Sequence, residues 1–433
     1  MNKNTIKFIT DRELCTGCGT CFSLCPNNAI EMKINEQKGV YFPKIDENKC
    51  NSCGICCKVC PGYEFSYDSL NYEMFGQKPE NMLIGNFLDC YTGFSKSESI
   101  RFNSSSGGLI TQILIFALEK GIINGALVTK MNKEKPLEPE PFIARTKEEI
   151  IEAAQSKYCP VPANVALKQI INSKPNEKFA VVGLPCHING IRKAQQINKK
   201  LKNNIVFCLG ILCNHTPNFL ATNLFLQRYN VKKEDVIKIH YRGNGWPGLM
   251  HVETIKSTLK IPLGKYWWFI GSHFFYPKSC LTCSDGFCEL SDASFGDAWL
   301  PEFSNDNKGT SIIVTRTEKM SQLLYDMKSE LEFKKIDSTR ITKSQAGMLY
   351  FKKKCLKARV KLVSNSPKSE EVLNSDFIDY ILSMYVCFTA LMSSNPIIKK
   401  GLTKVPLRFM WLYKLPYSII SSMHSKNMWK KIR

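Results

Sequence analysis

Eight cysteines near the amino end repeat one pattern twice, and that repeat constrains the chain more than any other feature. Cys15, Cys18, Cys21 and Cys25, followed by Pro26, are matched by Cys50, Cys53, Cys56 and Cys60, followed by Pro61. Every member is displaced by 35 positions, and Asp11 and Asp46 keep the same displacement, which marks an internal duplication. Two-residue gaps let three thiolates from one loop cover three corners of an iron-sulfur cubane, while the fourth cysteine, ahead of a proline, reaches the other cluster. The proline lacks a backbone donor and turns the chain away from the site. The pattern predicts two 4Fe-4S clusters, one held by Cys15, Cys18, Cys21 and Cys60 and the other by Cys50, Cys53, Cys56 and Cys25. A pair of zinc knuckles is the alternative, but it draws four ligands from two separated Cys-x-x-Cys pairs and suits these runs of three poorly. The displacement favours Cys56 over its neighbour Cys57 as ligand and leaves Cys57 as a small buried residue. Short β-prone runs such as residues 40–42 are expected as strands around this module.

A chain of 433 residues, 44% of them hydrophobic, has room for two or three compact units, which excludes a disordered or fibrous protein. The opening MNKNTIKFITDREL lacks the apolar run of a signal peptide, so a cytoplasmic location is expected. Nineteen cysteines in a reducing compartment point to metal or redox chemistry instead of disulfides. The formal charge of +21 would suit nucleic acid or an anionic membrane. Each oxidised cluster with its thiolates contributes about −2, so three would lower the excess by about 6. No recognition motif supports a specific nucleic-acid partner. The surplus is concentrated in residues 395–433, which hold nine lysines and arginines and no acidic residue. The apolar-rich residues 376–392 fall short of the roughly 20 needed to span a bilayer and are expected to form a packed helix. Beyond them Phe409, Trp411, Tyr413, Tyr417 and Trp429 alternate with basic residues. That composition suits peripheral contact with an anionic membrane, a solvated tail or a partner-docking helix.

Residues 62–100 lack periodicity and read as a connecting segment. Ser104, Ser105, Ser106, Gly107 and Gly108 then lead into an apolar helix expected over 109–120, ended by Gly121, and a strand over 123–129. A Ser/Gly-rich helix entry exposes backbone N–H groups where a flavin diphosphate can approach, although an ordinary serine cap has the same composition. Two further apolar runs, 179–182 and 205–212, read as buried strands, with Cys186 and Cys213 just beyond their ends. Cys280 and Cys283 follow the aromatic run 266–269 in a polar loop. Together these four make a full ligand set for a third cluster, with Cys208 and Cys288 competing for inclusion and with zinc or unligated thiols as alternatives. Cys90, Cys159, Cys355 and Cys387 have no partners at ligand spacing and read as core or surface thiols.

Several segments in order, SSSGG from Ser104, SKY from Ser156, GLPCHINGIRKA from Gly183, GILCNHTP from Gly210, RGNGWPG from Arg242 and CLTCSDGFCELSDASFGDAW from Cys280, resemble the beta subunit of coenzyme F420-reducing hydrogenase and its dehydrogenase relatives. The resemblance covers residues 85–300. It implies FAD, a 4Fe-4S cluster on Cys186, Cys213, Cys280 and Cys283, and FAD contacts from Ser104, Ser105, Ser106, Gly107, Gly108, Ser156, Lys157 and Tyr158. It also implies a cofactor or substrate cleft lined by Arg242, Asn244 and Trp246. The alternatives are a plain glycine-rich turn there, and an Asp297 that is only a buried hydrogen-bond acceptor.

The expected fold is α+β: a bacterial-type ferredoxin module (1–65), an α/β flavin and iron-sulfur domain in two parts (66–170, FAD-binding; 171–340, third cluster and substrate cleft), and a basic, mostly helical tail (341–433). The expected function is an iron-sulfur flavoprotein oxidoreductase that exchanges electrons with a ferredoxin or hydrogenase-type subunit and a hydride with a substrate such as coenzyme F420. A redox enzyme of surface-polysaccharide synthesis and a non-enzymatic electron carrier are the alternatives.

Overall fold

Side-chain alternation decides the middle of the molecule. In the central strands Ala126, Val128, Ala180, Phe207 and Leu209 face one apolar cluster, while Leu127, Phe179, Val181 and Cys208 face another. Strands buried on both faces need a layer on each side, the condition of a parallel α/β sheet. The computed structural model describes residues 5–270, 273–363, 373–393, 395, 401 and 415–423. Its strands are β1 (Ile30–Asn35), β2 (Val40–Ile45), β3 (Asp89–Ser95), β4 (Gly125–Met131), β5 (Pro139–Ala144), β6 (Phe179–Gly183), β7 (Ile205–Ile211), β8 (Val236–Gly243), β9 (Leu249–Thr254), β10 (Thr258–Pro262), β11 (Ala293–Asp297), β12 (Ser311–Thr315) and β13 (Leu331–Lys335).

Eight strands form the main sheet in the order β13-β3-β12-β11-β7-β6-β4-β5. Its centre, β11-β7-β6-β4, is parallel, and its outer pairings are antiparallel. Helix Leu109–Glu119 covers one face, burying Ile113, Leu114, Ile115 and Phe116. Helix Pro185–Ile197, which starts on a proline at its first turn, covers the other with Ile188, Ile191 and Ala194. The antiparallel sheet β8-β9-β10 packs on helix Phe219–Arg228. At the amino end β1 and β2 pair in a two-stranded sheet beside short helices Thr20–Leu24 and Ile55–Lys58. Each of these helices starts at a left-handed glycine, Gly19 or Gly54, and the two sit at equivalent places in the cysteine repeat.

The segment 62–100 is not merely a connection. It contains helix Tyr67–Phe75 and strand β3, which lies inside the main sheet between β13 and β12. The strand escapes an apolar-pattern reading because Cys90, Thr92 and Ser95 supply its buried positions. The aromatic run 266–269 ends helix Leu263–Ile270, and Cys280 sits on the helical turn Lys278–Leu281 instead of in a loop. The stretch expected as a packed helix is helix Phe377–Ser393. Phe409, Trp411, Tyr413 and Trp429 lie outside the described residues, whereas Tyr417 packs into the carboxyl-terminal apolar cluster.

Candidate functional site

The twelve cysteines of the sequence reading gather into three neighbourhoods. Burial pushes the Cys21 thiol well above its ordinary range, and the sulfurs of Cys18, Cys15 and Cys60 add to the shift. Cys15 is pushed up to about 12, chiefly by burial. Cys25, Cys50, Cys53 and Cys56 line one small cavity. Cys57, next to Cys56, is 4% exposed and belongs to the apolar cluster of the module.

Burial likewise raises Cys186 strongly, followed by the effect of neighbouring sulfurs on Cys18, Cys213, Cys283 and Cys280. Cys186 therefore belongs with the third group and also neighbours a member of the first. Cys208 and Cys288 are both fully buried. The Cys288 Sγ points at the Gly183 carbonyl (3.6 Å), and Cys208 faces the apolar layer.

These groups fit iron-sulfur ligation. Thiolate sulfurs on a cubane accept backbone N–H bonds, which tune the cluster. Here Gly17 N–H donates to Cys15 Sγ (3.4 Å), Ala29 N–H to Cys25 Sγ (3.3 Å) and Gly62 N–H to Cys60 Sγ (3.4 Å). Among the described residues no three His, Cys, Asp or Glu side chains converge on a single-ion point. A four-iron cubane takes its thiolates farther apart than one ion does. Lys352, 1% exposed, faces the Cys283 sulfur. Burial alone would lower its pKa, but Cys283, Cys213 and Cys280 raise it, so a buried cation faces these thiols.

The module is fastened to the main sheet beside Cys18. Asn164 N–H donates to the Cys18 carbonyl (2.9 Å), while Asn164 Nδ2 donates to Thr20 Oγ1 (2.8 Å) and the His187 carbonyl (2.9 Å). Ser23 Oγ donates to the Asn164 carbonyl (2.7 Å). Lys193, on helix Pro185–Ile197, donates Nζ to the carbonyls of Cys60 (2.9 Å) and Tyr63 (2.6 Å). Gly190 on that helix lies against Thr20.

A cavity of about 580 Å³ opens at the carboxyl ends of the parallel strands, the place where open α/β sheets bind ligands. Its wall includes Ser104, Ser105, Ser106, Gly108, Ser156, Lys157, Tyr158, Arg242 and Cys213. One hydroxyl joins three of the sequence motifs: Ser105 Oγ accepts from Ser156 N–H (2.8 Å) and donates to the Arg242 carbonyl (3.4 Å). The serines do not cap the helix. Gly108, left-handed at φ 74°, is the N-cap and has no side-chain cap, while Ser104 and Ser106 donate to the carbonyls of Ile100 (2.7 Å) and Thr310 (3.0 Å). The first turn of an α-helix has N–H groups without intrahelical partners, and here Leu109, Ile110 and Thr111 line the cavity.

Gly107, Asn244 and Trp246 lie off this wall. Gly107 N–H is taken by Ser311 Oγ (3.0 Å), and Asn244 sits at φ 59° in the turn from β8 to β9. Trp246 stands behind Asp297, donating Nε1 to Oδ1 (2.8 Å). Asp297 also grips Arg242 with both oxygens, at 2.8 Å and 2.7 Å. Burial opposes the Arg242 charge, but Asp297 and Tyr158 hold its pKa above the ordinary value. Lys157 donates Nζ to the carbonyls of Ala153 (2.5 Å), Ala154 (2.7 Å) and Gln155 (3.0 Å), while burial pushes its pKa down to about 7.

Sequence reasoning missed Gln155, Asn214, Trp267 and Trp299, all on the wall. The signal for three of them was adjacency: Gln155 precedes SKY, Asn214 follows Cys213 and Trp299 closes FGDAW. Gln155 Oε1 and Asn214 Oδ1 are buried acceptors without a protein partner among the described residues. Such orphan acceptors, with an anion-seeking helix start in the same cavity, fit a nucleotide-like cofactor such as FAD.

Residues 90–168 match the family described as coenzyme F420 hydrogenase/dehydrogenase, beta subunit N-term, and residues 176–339 match its C terminus. Residues 14–62 match a 4Fe-4S dicluster domain. The beta subunit of coenzyme F420 hydrogenase from Methanothermobacter thermautotrophicus is 30% identical over 252 residues, 56% of this chain and 82% of that protein. The coenzyme F420-dependent sulfite reductase of Methanocaldococcus jannaschii is 26% identical over 368 residues, 81% of this chain and 52% of its own length. In the solved F420-reducing [NiFe] hydrogenase complex from Methanosarcina barkeri, a chain 21% identical shares the fold with a TM-score of 0.51, the match covering 68% of this chain and 98% of that one. The chain therefore belongs to the coenzyme F420 hydrogenase/dehydrogenase beta-subunit family, with a 4Fe-4S dicluster domain joined ahead of the family region.

Proposed function

We propose that the chain is a cytoplasmic iron-sulfur flavoprotein oxidoreductase that carries three 4Fe-4S clusters and FAD and exchanges a hydride with a substrate such as coenzyme F420. The observation that carries the reading is the double membership of Cys213: it stands in the third thiol group and on the wall of the cavity. Cys186 makes the corresponding link backwards, to Cys18. Cys15, Cys18, Cys21 and Cys60 would hold the first cluster, Cys25, Cys50, Cys53 and Cys56 the second, and Cys186, Cys213, Cys280 and Cys283 the third. Bound clusters supply one-electron steps, and a bound flavin couples them to two-electron hydride chemistry.

The side chains position and exclude. Ser105 ties the glycine turn to Ser156 and Arg242, so the helix start faces the cavity at a fixed angle. Gln155 and Asn214 offer acceptors to ring N–H groups. Asp297 holds Arg242 in the wall, and Trp267 and Trp299 add aromatic rings to it. The electron partner is a ferredoxin or a hydrogenase-type subunit, in keeping with relatives named as hydrogenase subunits. The basic residues 395–433 make a peripheral contact with a membrane.

Anaerobic purification with iron, sulfide and flavin analysis tests the reading. The expected content is about twelve irons and one flavin per chain, with about four irons lost in Cys213→Ser. About eight irons and no flavin would overturn it and leave a ferredoxin-like carrier.

A further inference from the structure

Helix Phe377–Ser393 buries one face and leaves another bare. Leu382, Val386, Cys387 and Ala390 pack into a cluster with Tyr276, Tyr350, Phe351 and Tyr417. Phe377, Ile381, Met384, Phe388 and Leu391 are 46–78% exposed. Steps of four and three residues set these five on one stripe, about 21 Å long at 1.5 Å per residue. A helix that is apolar all round needs cover on every side, and the protein core covers only one. Residues 415–423 repeat the arrangement on a smaller scale. Their Tyr417 stacks on Tyr385 at 5.7 Å, while Ile419, Ile420 and Met423 stay exposed.

Charge selects the kind of partner. The chain that joins and follows these two helices, residues 395–433, has nine lysines and arginines and no carboxylate side chain. At the start of the long helix Asp379 is fully buried, accepting from Tyr350 Oη (2.6 Å) and pairing with Lys354 (3.2 Å). Lys361 Nζ lies over the Tyr380 ring, 5.5 Å from its centroid. An apolar stripe tethered to positive charge and aromatic rings matches an anionic lipid surface. No helix among the described residues is long and apolar enough to cross a membrane.

We infer that Phe377, Ile381, Met384, Phe388 and Leu391 insert into the headgroup boundary of an anionic bilayer, with the helix axis in the membrane plane and the positive charge of the basic tail adding attraction for the phosphates. The inference deepens the reading of the basic tail as a membrane contact by assigning its apolar seat.

Full-length protein is co-sedimented with vesicles of phosphatidylcholine alone and of phosphatidylcholine mixed with phosphatidylglycerol. The wild type is expected on the mixed vesicles at low salt and to leave them at high salt. Phe388→Ser with Leu391→Ser, a pair that keeps every charge, should weaken binding by at least about tenfold at unchanged iron content. Ile381→Ser with Met384→Ser is the second pair should the first lose iron. Lys399→Gln with Lys400→Gln and Lys404→Gln should weaken binding through charge alone. Mixed vesicles that bind wild type and both serine pairs equally would overturn the stripe and leave the tail reading standing. Wild type that binds neither vesicle at low salt would overturn both. A dimer in solution that the serine pairs dissociate would overturn the inference in favour of a second copy as occupant.

Discussion

Gly190 sits in the interior of helix Pro185–Ile197, and two physical effects of replacing it with alanine oppose each other. Helix propensity alone favours alanine by about 1 kcal/mol. Packing opposes it. A Cβ at this position would overlap Thr20 Oγ1 and come within 3.1 Å of Asn164 Nδ2 and 3.4 Å of Thr20 Cβ. Thr20 cannot swing away cheaply. It is fully buried, stiff at χ1, and its hydroxyl accepts from Asn164 (2.8 Å) beside Cys18 Sγ (3.3 Å). Overpacking costs about 1–3 kcal/mol, and loss of the Thr20–Asn164 bond adds about 1. Packing wins, and Gly190→Ala should destabilise by roughly 1–3 kcal/mol net.

The assay is anaerobic thermal melting followed by visible cluster absorbance, with a double-mutant cycle. Thr20→Ala alone forfeits the hydrogen bond, but in the double variant the new methyl takes the space that Oγ1 leaves. A favourable coupling of about 1–2 kcal/mol is expected between neighbours of this kind. Gly190→Ala that melts higher than wild type, as propensity alone requires, or a cycle without coupling, would refute the packing argument.

Two other outcomes follow from the cavity wall. Asp297→Asn leaves the buried Arg242 guanidinium without its counter-charge and should cost about 3–5 kcal/mol in denaturant melts, whereas Arg242→Met with Asp297→Leu recovers most of it; a loss below about 1 kcal/mol for Asp297→Asn would count against a structural pair. Lys157 has a folded-state pKa pushed below its unfolded value, so the unfolded chain binds the extra proton between about pH 7 and 10.5, and stability rises with pH across that window. In Lys157→Met this component should vanish, which parallel melts at neutral pH and near the unfolded lysine pKa will detect as a smaller pH dependence.

The amino-terminal module was readable because cluster ligation is local: the Cys-x-x-Cys-x-x-Cys loops must be contiguous to wrap a cubane, so spacing is itself geometry. The parallel centre of the sheet was readable for a similar reason, since Phe179, Ala180 and Val181 are apolar whichever face they serve. Strand β3 was not, because its buried positions carry Cys90, Thr92 and Ser95, small or polar residues that erase the apolar pattern. The cavity wall divides along the same line. Ser105 and Arg242 stood inside conspicuous glycine-rich motifs, whereas Trp267 and Trp299 come from separate elements, helix Leu263–Ile270 and the residues after β11, and share the wall only in the folded chain. Trp246 was expected on the wall from its motif, but the Asp297 carboxylate draws its ring N–H behind the wall and leaves Trp299, its ring tilted at 44° with centroids 4.7 Å apart, as the exposed member of the pair.

The fastening of the module to the sheet has a consequence for how electrons would travel. Asn164 N–H and Lys193 Nζ donate to the carbonyls of Cys18 and Cys60 in the first thiol group, Ser23 Oγ donates back to the Asn164 carbonyl, and backbone positions do not change with side-chain rotamers. Helix Pro185–Ile197 carries Cys186 at its start and Lys193 two turns later, so one rigid element both bears a third-group thiol and holds the Cys60 carbonyl. This helix therefore ties the position of Cys186 to the Cys60 carbonyl. Loosening this helix against Thr20 would thus disturb the spacing of two thiol groups at once, whereas a change on the far side of the module, at Cys50 or Cys53, would leave that junction intact.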